Sequence, residues 1–477
     1  MAPPTVRTCP ASLGDLSLYS VSGRWGLIRY GVGTAIGAMA AIAFCGAAQA
    51  TDAPMQTLYR HASLIDGTGN PVRRGMSVLT TGERIAAVAP DAELAPPAGA
   101  KVVDLAGKYL APGLIDSHEH LATPPNRRAA EGNMRRDLYG GVTAIRDMAD
   151  DLRSVGELAR ESRAGEVPGP DIFYAALMAG PSFFVDPRTH AIALGVEPGH
   201  APWMQAIDET TDLRTAVTLA KGTSATAIKI YANLPGDLVA KIAAEAHRQG
   251  LVVWTHSAIF PATPAEVLDA RPDVISHTCY MAYQVVGVPA SYQARVRIDP
   301  KVFAGSPNPV MAGLFARMKT QGTLLDPTLR VYAEDAERFA KNPKGKPPMC
   351  DLDLAAALTR QAFQAGVPLS TGTDGIAPAS DPWPTVYDEI ALLVDKAGLT
   401  PAQAIHAATE VGAKAAAQDK DMGTIAPGKL ANLIVMARDP TADIANLKSL
   451  ELTVKRGRAY PRADFKPPAA SELKDAP

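Results

Sequence analysis

The sequence predicts a (β/α)8, TIM-type barrel over about residues 110–424, flanked by a small β-sandwich domain built from both chain ends. Three observations carry this. Short apolar runs alternate with longer helical stretches for some 300 residues from Gly113. Strand-like segments without helices occupy residues 54–109 and return at 425–465. Polar, metal-competent residues repeatedly close the apolar runs, which is where barrel enzymes place their active sites. A doubly wound sheet gives the same alternation, so periodicity alone leaves that alternative open.

The first β-part reads from Thr57 to Ala62, Arg84 to Val88 and Lys101 to Asp104, separated by turns such as Asp66-Gly67-Thr68-Gly69-Asn70. The barrel runs follow: Leu114-Ile115, Val142–Ile145, Ala227–Ile230, Val252–Trp254, Val274-Ile275, Leu324-Leu325 and Leu369–Thr371. Helices are expected over 238–249, with Leu238, Ile242 and Ala246 on one face, and over 386–397. Leu433–Met436 and Leu452–Lys455 return to strand. Residues 284–310 and 341–349 read as insertions, and 466–477 as a disordered tail.

Residues 1–50 form an expected export signal. Arg24 and Arg29 precede an apolar stretch from Tyr30 to Phe44, and Ala48-Gln49-Ala50 gives a small-x-small cleavage pattern ahead of Thr51. The product would be periplasmic or secreted, with no stable membrane insertion after cleavage. Composition narrows the partners. Net charge is −2, no basic tract stands out and aromatic residues make up only 6%. Nucleic acid is therefore not an expected partner, whereas a small-molecule substrate is. A homo-oligomer is left open. The four cysteines form no CxxC pair, and two of them fall in the signal. Cys279 and Cys350 are expected as buried free thiols, pairing being the alternative.

The chemistry gathers at strand ends. In His118-Glu119-His120, residues two apart share a side of the strand, so both imidazoles can clasp one ion. His256, His277 and Asp374 close later runs, and Lys229 lies inside Ala227–Tyr231. A lysine in an apolar run is costly unless it is paired or chemically changed. Each position alone has a plainer reading: a packed histidine, a turn-capping aspartate, a snorkelling lysine. Tyr231, two residues after Lys229, and Tyr280, three after His277, are substrate-binding candidates. Arg146 is a candidate carboxylate clamp or a member of an internal Arg146–Asp147 network.

The order HxH, Lys, His, His, Asp resembles the binuclear amidohydrolase superfamily. Ala111-Pro112-Gly113-Leu114-Ile115-Asp116-Ser117-His118 and Gly423–Leu433 are similar to its two flanking signatures, with Asn432 where those proteins usually carry Asp. Within the superfamily the chain looks most like the imidazolonepropionase-related proteins that include metal-dependent Xaa-Pro dipeptidases; Lys229 sets it apart from imidazolonepropionase itself. The resemblance implies two divalent metal ions, zinc being expected. His118, His120 and Asp374 would hold the buried ion, His256 and His277 the exposed one, and N6-carboxylated Lys229 would bridge them. It implies hydrolysis of an amide-type C–N bond in a dipeptide, such as Xaa-Pro, or an N-acyl amino acid. Asp374 would act as the catalytic proton carrier. A lactonase, esterase or phosphotriesterase-like activity on the same metals is the alternative. A non-catalytic, metal-loaded envelope binding protein is the alternative of another class.

Overall fold

The computed structural model describes residues 55–304, 307–345, 347–375, 381–469 and 471–472. The expected export signal and its cleavage site lie outside the described residues. So do residues 470 and 473–477 of the expected tail. Within that tail Pro468 is buried, and Glu472 pairs with Arg135 at 3.1 Å.

Two sheets organise the chain from Pro54 onward. The first joins strands from both ends: β1 (Gln56–Leu64), β2 (Arg73–Thr81), β3 (Arg84–Pro90), β4 (Lys101–Asp104) and β5 (Tyr109–Pro112). β5 pairs antiparallel with a strand at Leu433–Met436, which pairs with Leu450–Lys455, which in turn pairs with Arg458–Pro461. Leu110 lies opposite Val435, so the two chain ends meet at the centre of one sheet. Buried Tyr59, Leu64, Val78, Leu433 and Val454 form its core. β3 buries only Ile85 fully and leaves Arg84, Ala86 and Pro90 exposed, as suits the edge strand of that sheet.

The second sheet is the barrel. β6 (Leu114–Glu119), β7 (Val142–Asp147) and β8 (Asp171–Ala179) run parallel in chain order. A short hairpin, β9 (His200–Ala201) and β10 (Met204–Ala206), adds to the edge of β8. The parallel series continues with β11 (Ala227–Ile230), β12 (Val252–His256), β13 (Val274–Ser276) and β14 (Leu324–Asp326). Residues 368–374 supply the eighth position. Leu325 bridges Leu369 on one side. On the other, Ser117 N–H donates to the Thr371 carbonyl at 2.7 Å and Asp374 N–H to the His118 carbonyl at 2.8 Å. The ring thereby closes, which settles the choice between barrel and open sheet. β6 and β11 are buried at every position, as strands walled by helices must be.

The helices follow the expected faces. The one at Gly236–Arg248 buries Leu238, Val239, Ile242, Ala243 and Ala246 against the barrel. Each large aliphatic so buried contributes about 1.5–3 kcal/mol. The helix expected over 386–397 spans Val386–Asp395. Thr263 and Glu266 close a capping box that starts the helix at Pro264–Asp269. The expectation of two free thiols is corrected: Cys279 and Cys350 form a disulfide across a Cα–Cα distance of 6.3 Å. The link joins the turn after His277 to the end of the 341–349 insertion, 71 residues away.

Candidate metal centre

Six strand-end positions put their donors around one space. His118 and His120 leave β6, Lys229 lies in β11, His256 ends β12, His277 follows β13 and Asp374 ends the closing segment. All six line one cavity of about 130 Å³. Asp374 is its hub. Its carboxylate lies 3.2 Å from His120 Nε2, 3.5 Å from His118 Nε2 and 3.8 Å from His277 Nε2. Donor atoms of His118, His277 and Asp374 all fall within 4.8 Å of one another, a spacing that could hold a metal ion. His277 thus stands beside the HxH pair, and His256 packs on it with ring centroids 4.5 Å apart.

Local backbone shape creates this convergence. His277 and Asp374 sit in left-handed conformation, with φ of 70° and 50°. Non-glycine residues adopt this only when their surroundings impose it. Each turn swings a side chain that would otherwise continue the strand's alternation toward the barrel axis. Gly372 is required in the closing segment, because a Cβ there would meet His118 Cβ at 2.6 Å and collide with Asp326.

A second ring of acceptors fixes the imidazoles. His118 Nδ1 pairs with Asp326 at 2.8 Å, His120 Nδ1 with Asp150 at 2.8 Å and His277 Nδ1 with Thr328 Oγ1 at 2.9 Å. With Nδ1 protonated, the neutral rings of His118 and His277 turn an Nε2 lone pair toward Asp374 and the cavity. Asp326 closes β14 in the same way that the donors close their strands, and sequence reasoning passed over it. Of the six donor side chains, two carry a buried atom with no hydrogen-bond partner among the described residues, Lys229 Nζ and His256 Nδ1. Buried polar atoms are rarely left so. The donor set therefore fits divalent cations.

The electrostatics agree. Burial lowers Lys229 to about 8, against partial support from Asp374 and Asp326. Burial also holds His118 and His256 well below the usual histidine range and His277 down at about 3, so these rings are neutral. Asp374 is raised by burial but lowered far more by His118, His120 and His277, so it stays ionised. Burial lowers His120 too, yet Asp150 and Asp374 outweigh it and push the ring up to about 10. A cation sharing the Asp374 charge would remove part of that pull.

Of the other candidates, Tyr231 and Tyr280 do line the cavity. Tyr231 stacks on His256 at 4.1 Å, and Tyr280 lies 5.7 Å from the His277 ring. Arg146 does not reach the cavity. It is wholly buried, its guanidinium lies 4.6 Å from the Trp254 ring centroid, and Nη1 donates to the Ala415 carbonyl at 3.1 Å. Neither the clamp nor the Arg146–Asp147 network forms, because the side chain points down the barrel interior. Sequence reasoning missed Arg188, Tyr292, Tyr332, Asp335 and Met349, which complete the cavity wall together with Met148 and Val331. Tyr292 comes from the 284–310 insertion and Met349 from the 341–349 insertion.

A closed (β/α)8 barrel with histidines, a lysine and an aspartate at its strand ends is an arrangement suited to a metal-dependent barrel hydrolase. Residues 109–459 match the amidohydrolase family. The chain belongs to that family and is an enzyme, a hydrolase acting on carbon–nitrogen bonds of small molecules. It is similar to the imidazolonepropionase of Anaeromyxobacter sp. (strain K), 28% identical over 380 residues, which cover 76% of this chain and 84% of that protein. It is also similar to the adenine deaminase of Rubrobacter xylanophilus, 41% identical over 70 residues, but these cover only 15% of this chain and 12% of that protein. Among solved structures, a Xaa-Pro dipeptidase with bound methionine superposes with a TM-score of 0.65 at 21% identity, covering 85% of this chain and all of that one. Phenylurea hydrolase B superposes with a TM-score of 0.66 at 20% identity, covering 86% and 98%.

Proposed function

We propose that the protein hydrolyses the amide bond of a dipeptide or N-acyl amino acid, with a pair of divalent cations, zinc by expectation, held by His118, His120, Lys229, His256, His277 and Asp374. The observation that carries this reading is the unpartnered, buried Lys229 Nζ inside a cavity it shares with four histidines and an aspartate. A lysine lowered to about 8 has an unprotonated amine in useful amount near neutral pH. That amine adds to carbon dioxide, forming an N–C bond and releasing one proton. The product is an anionic oxygen donor where a buried cation would be unfavourable. When bound, the cations would acidify a water and polarise the scissile carbonyl. Asp374, ionised and 24% exposed to the cavity, takes the water's proton and returns it to the leaving nitrogen. Tyr231 is positioned to donate to the substrate from the side of His256.

Export is part of the proposal. The Cys279–Cys350 disulfide supports it, since such links persist in oxidising compartments. The test is release of amino acids from a mixed set of dipeptides and N-acyl amino acids, by zinc-loaded against chelated protein. Metal-dependent release is expected. Cleavage of lactones or phosphotriesters alone would overturn the amide reading.

A further inference from the structure

The cavity over the metal donors is small, but it is not the end of the available space. A larger one, of about 370 Å³, lies beside it. The two share Asp335 and Met349 as common wall. The outer chamber is bounded by both insertions, and its wall at Met349 is anchored by the neighbouring Cys350 disulfide to the turn after His277.

Arg295 stands where the two spaces meet. It lines the outer chamber, and its Nη1 donates to the hydroxyl of Tyr280, which lines the inner one. Its guanidinium lies 3.8 Å from the Tyr292 ring centroid and 5.5 Å from that of Tyr280. Aromatic faces hold the charge in place without neutralising it. The other arginines on the two walls are already paired. Arg188 pairs with Asp186 at 2.8 Å, and Arg338 pairs with Asp335. Arg295 forms no ion pair among the described residues. It is half-buried, and among the described residues one of its five N–H donors meets an acceptor, the Tyr280 hydroxyl.

We propose that Arg295 is a specificity residue that receives a carboxylate of the substrate, on the outer side of Tyr280, and so selects substrates carrying a free acid beyond the scissile bond. This rests on the amide-hydrolase reading for the identity of that bond. The reach is set by two steps: Tyr280 lies 5.7 Å from the His277 ring, and Arg295 lies 5.5 Å from the Tyr280 ring. Extended chain covers about 3.3–3.6 Å per residue, so the carboxylate lies no more than about three residues from the metal donors. The bulk of the substrate then occupies the outer chamber, whose volume exceeds the inner one. The planar fork of arginine suits a carboxylate held by two parallel hydrogen bonds.

The test is calorimetric binding of N-methylsulfonyl-L-alanine and its carboxamide, sulfonamides that a hydrolase of carboxamides does not cleave, to zinc-loaded wild type, Arg295→Met and Arg295→Lys, with metal content checking each fold. A charged hydrogen-bonded pair predicts that wild type binds the acid about 30-fold more tightly than the amide. In Arg295→Met the ratio falls below about 3-fold, and Arg295→Lys retains an intermediate one. Equal affinity for acid and amide in wild type, or an unchanged ratio in Arg295→Met, overturns the proposal. Discrimination that disappears with Arg295, in a protein that cleaves no amide, keeps this inference and removes the amide reading.

Discussion

Two lysines, Lys229 and Lys455, are almost wholly buried, and they are treated in opposite ways. Lys455 lies where the two-ended sheet meets the barrel. Its Nζ donates to the Ser162 carbonyl and hydroxyl, each at 2.9 Å, and to the Gly169 carbonyl at 2.8 Å, and it pairs with Asp171 at 3.1 Å. Lys229 lies at the metal centre with no hydrogen-bond partner among the described residues. A lysine that holds a fold together arrives with its acceptors. Lys229, the lysine proposed to be carboxylated, arrives without them. The seam and the rim thus differ in what they leave unfinished, and each can be perturbed separately.

The largest effect is expected at the rim. Lys229→Ala should lower kcat by about 10³-fold or more, as loss of a bridging ligand does, while the fold persists. Small carboxylic acids should restore part of that rate, read in a steady-state assay with and without acetate or propionate. At the seam the pattern inverts. Lys455→Met leaves Asp171 with Arg456 alone and should cost about 3 kcal/mol in urea unfolding, with kcat of the folded fraction unaltered.

The comparison sharpens with pH in the metal-free protein. Lys229 is lowered from 10.5 to about 8 by burial, so between those values the unfolded chain binds more protons than the native one. Stability should therefore rise as pH climbs from about 8 toward 10.5, by up to about 3 kcal/mol. Lys229→Met should lack this rise, and the difference between the two melting curves isolates it. The smallest effect concerns orientation. Asp326→Asn weakens the hold on His118 Nδ1 and should reduce metal affinity about 10–100-fold, read by competition with a chelating dye.

Much of the rim was legible because barrel geometry leaves a local signature: an apolar run, then a polar residue. That signature located His118, His256, His277 and Asp374 on their strands, and the cost of a charge in an apolar run singled out Lys229. It was equally present at Asp326, which follows Leu324-Leu325 and was overlooked. Residues on insertions carry no such signature. Tyr292, Arg295 and Met349 reach the cavity walls through tertiary packing, which spacing along the chain does not encode. The same holds for the disulfide, whose cysteines are 71 residues apart. Arg146 shows the reverse error: strand-end position is not enough when the side chain points down the barrel. β8 went unread because its strand-forming residues, Ile172, Phe173 and Tyr174, give way to Ala175-Ala176-Leu177-Met178-Ala179, a run that suits helix as readily as strand.

The central claim is that Lys229 is a bridging ligand, made so by carbon dioxide. It is tested most directly by carbon-13 NMR of protein equilibrated with labelled bicarbonate and zinc, alongside metal analysis of the same sample. The account predicts one carbamate signal and two metal ions per chain, with the signal absent and the metal content reduced in Lys229→Met. Two metal ions per chain in both proteins, with no carbamate signal in either, would contradict it.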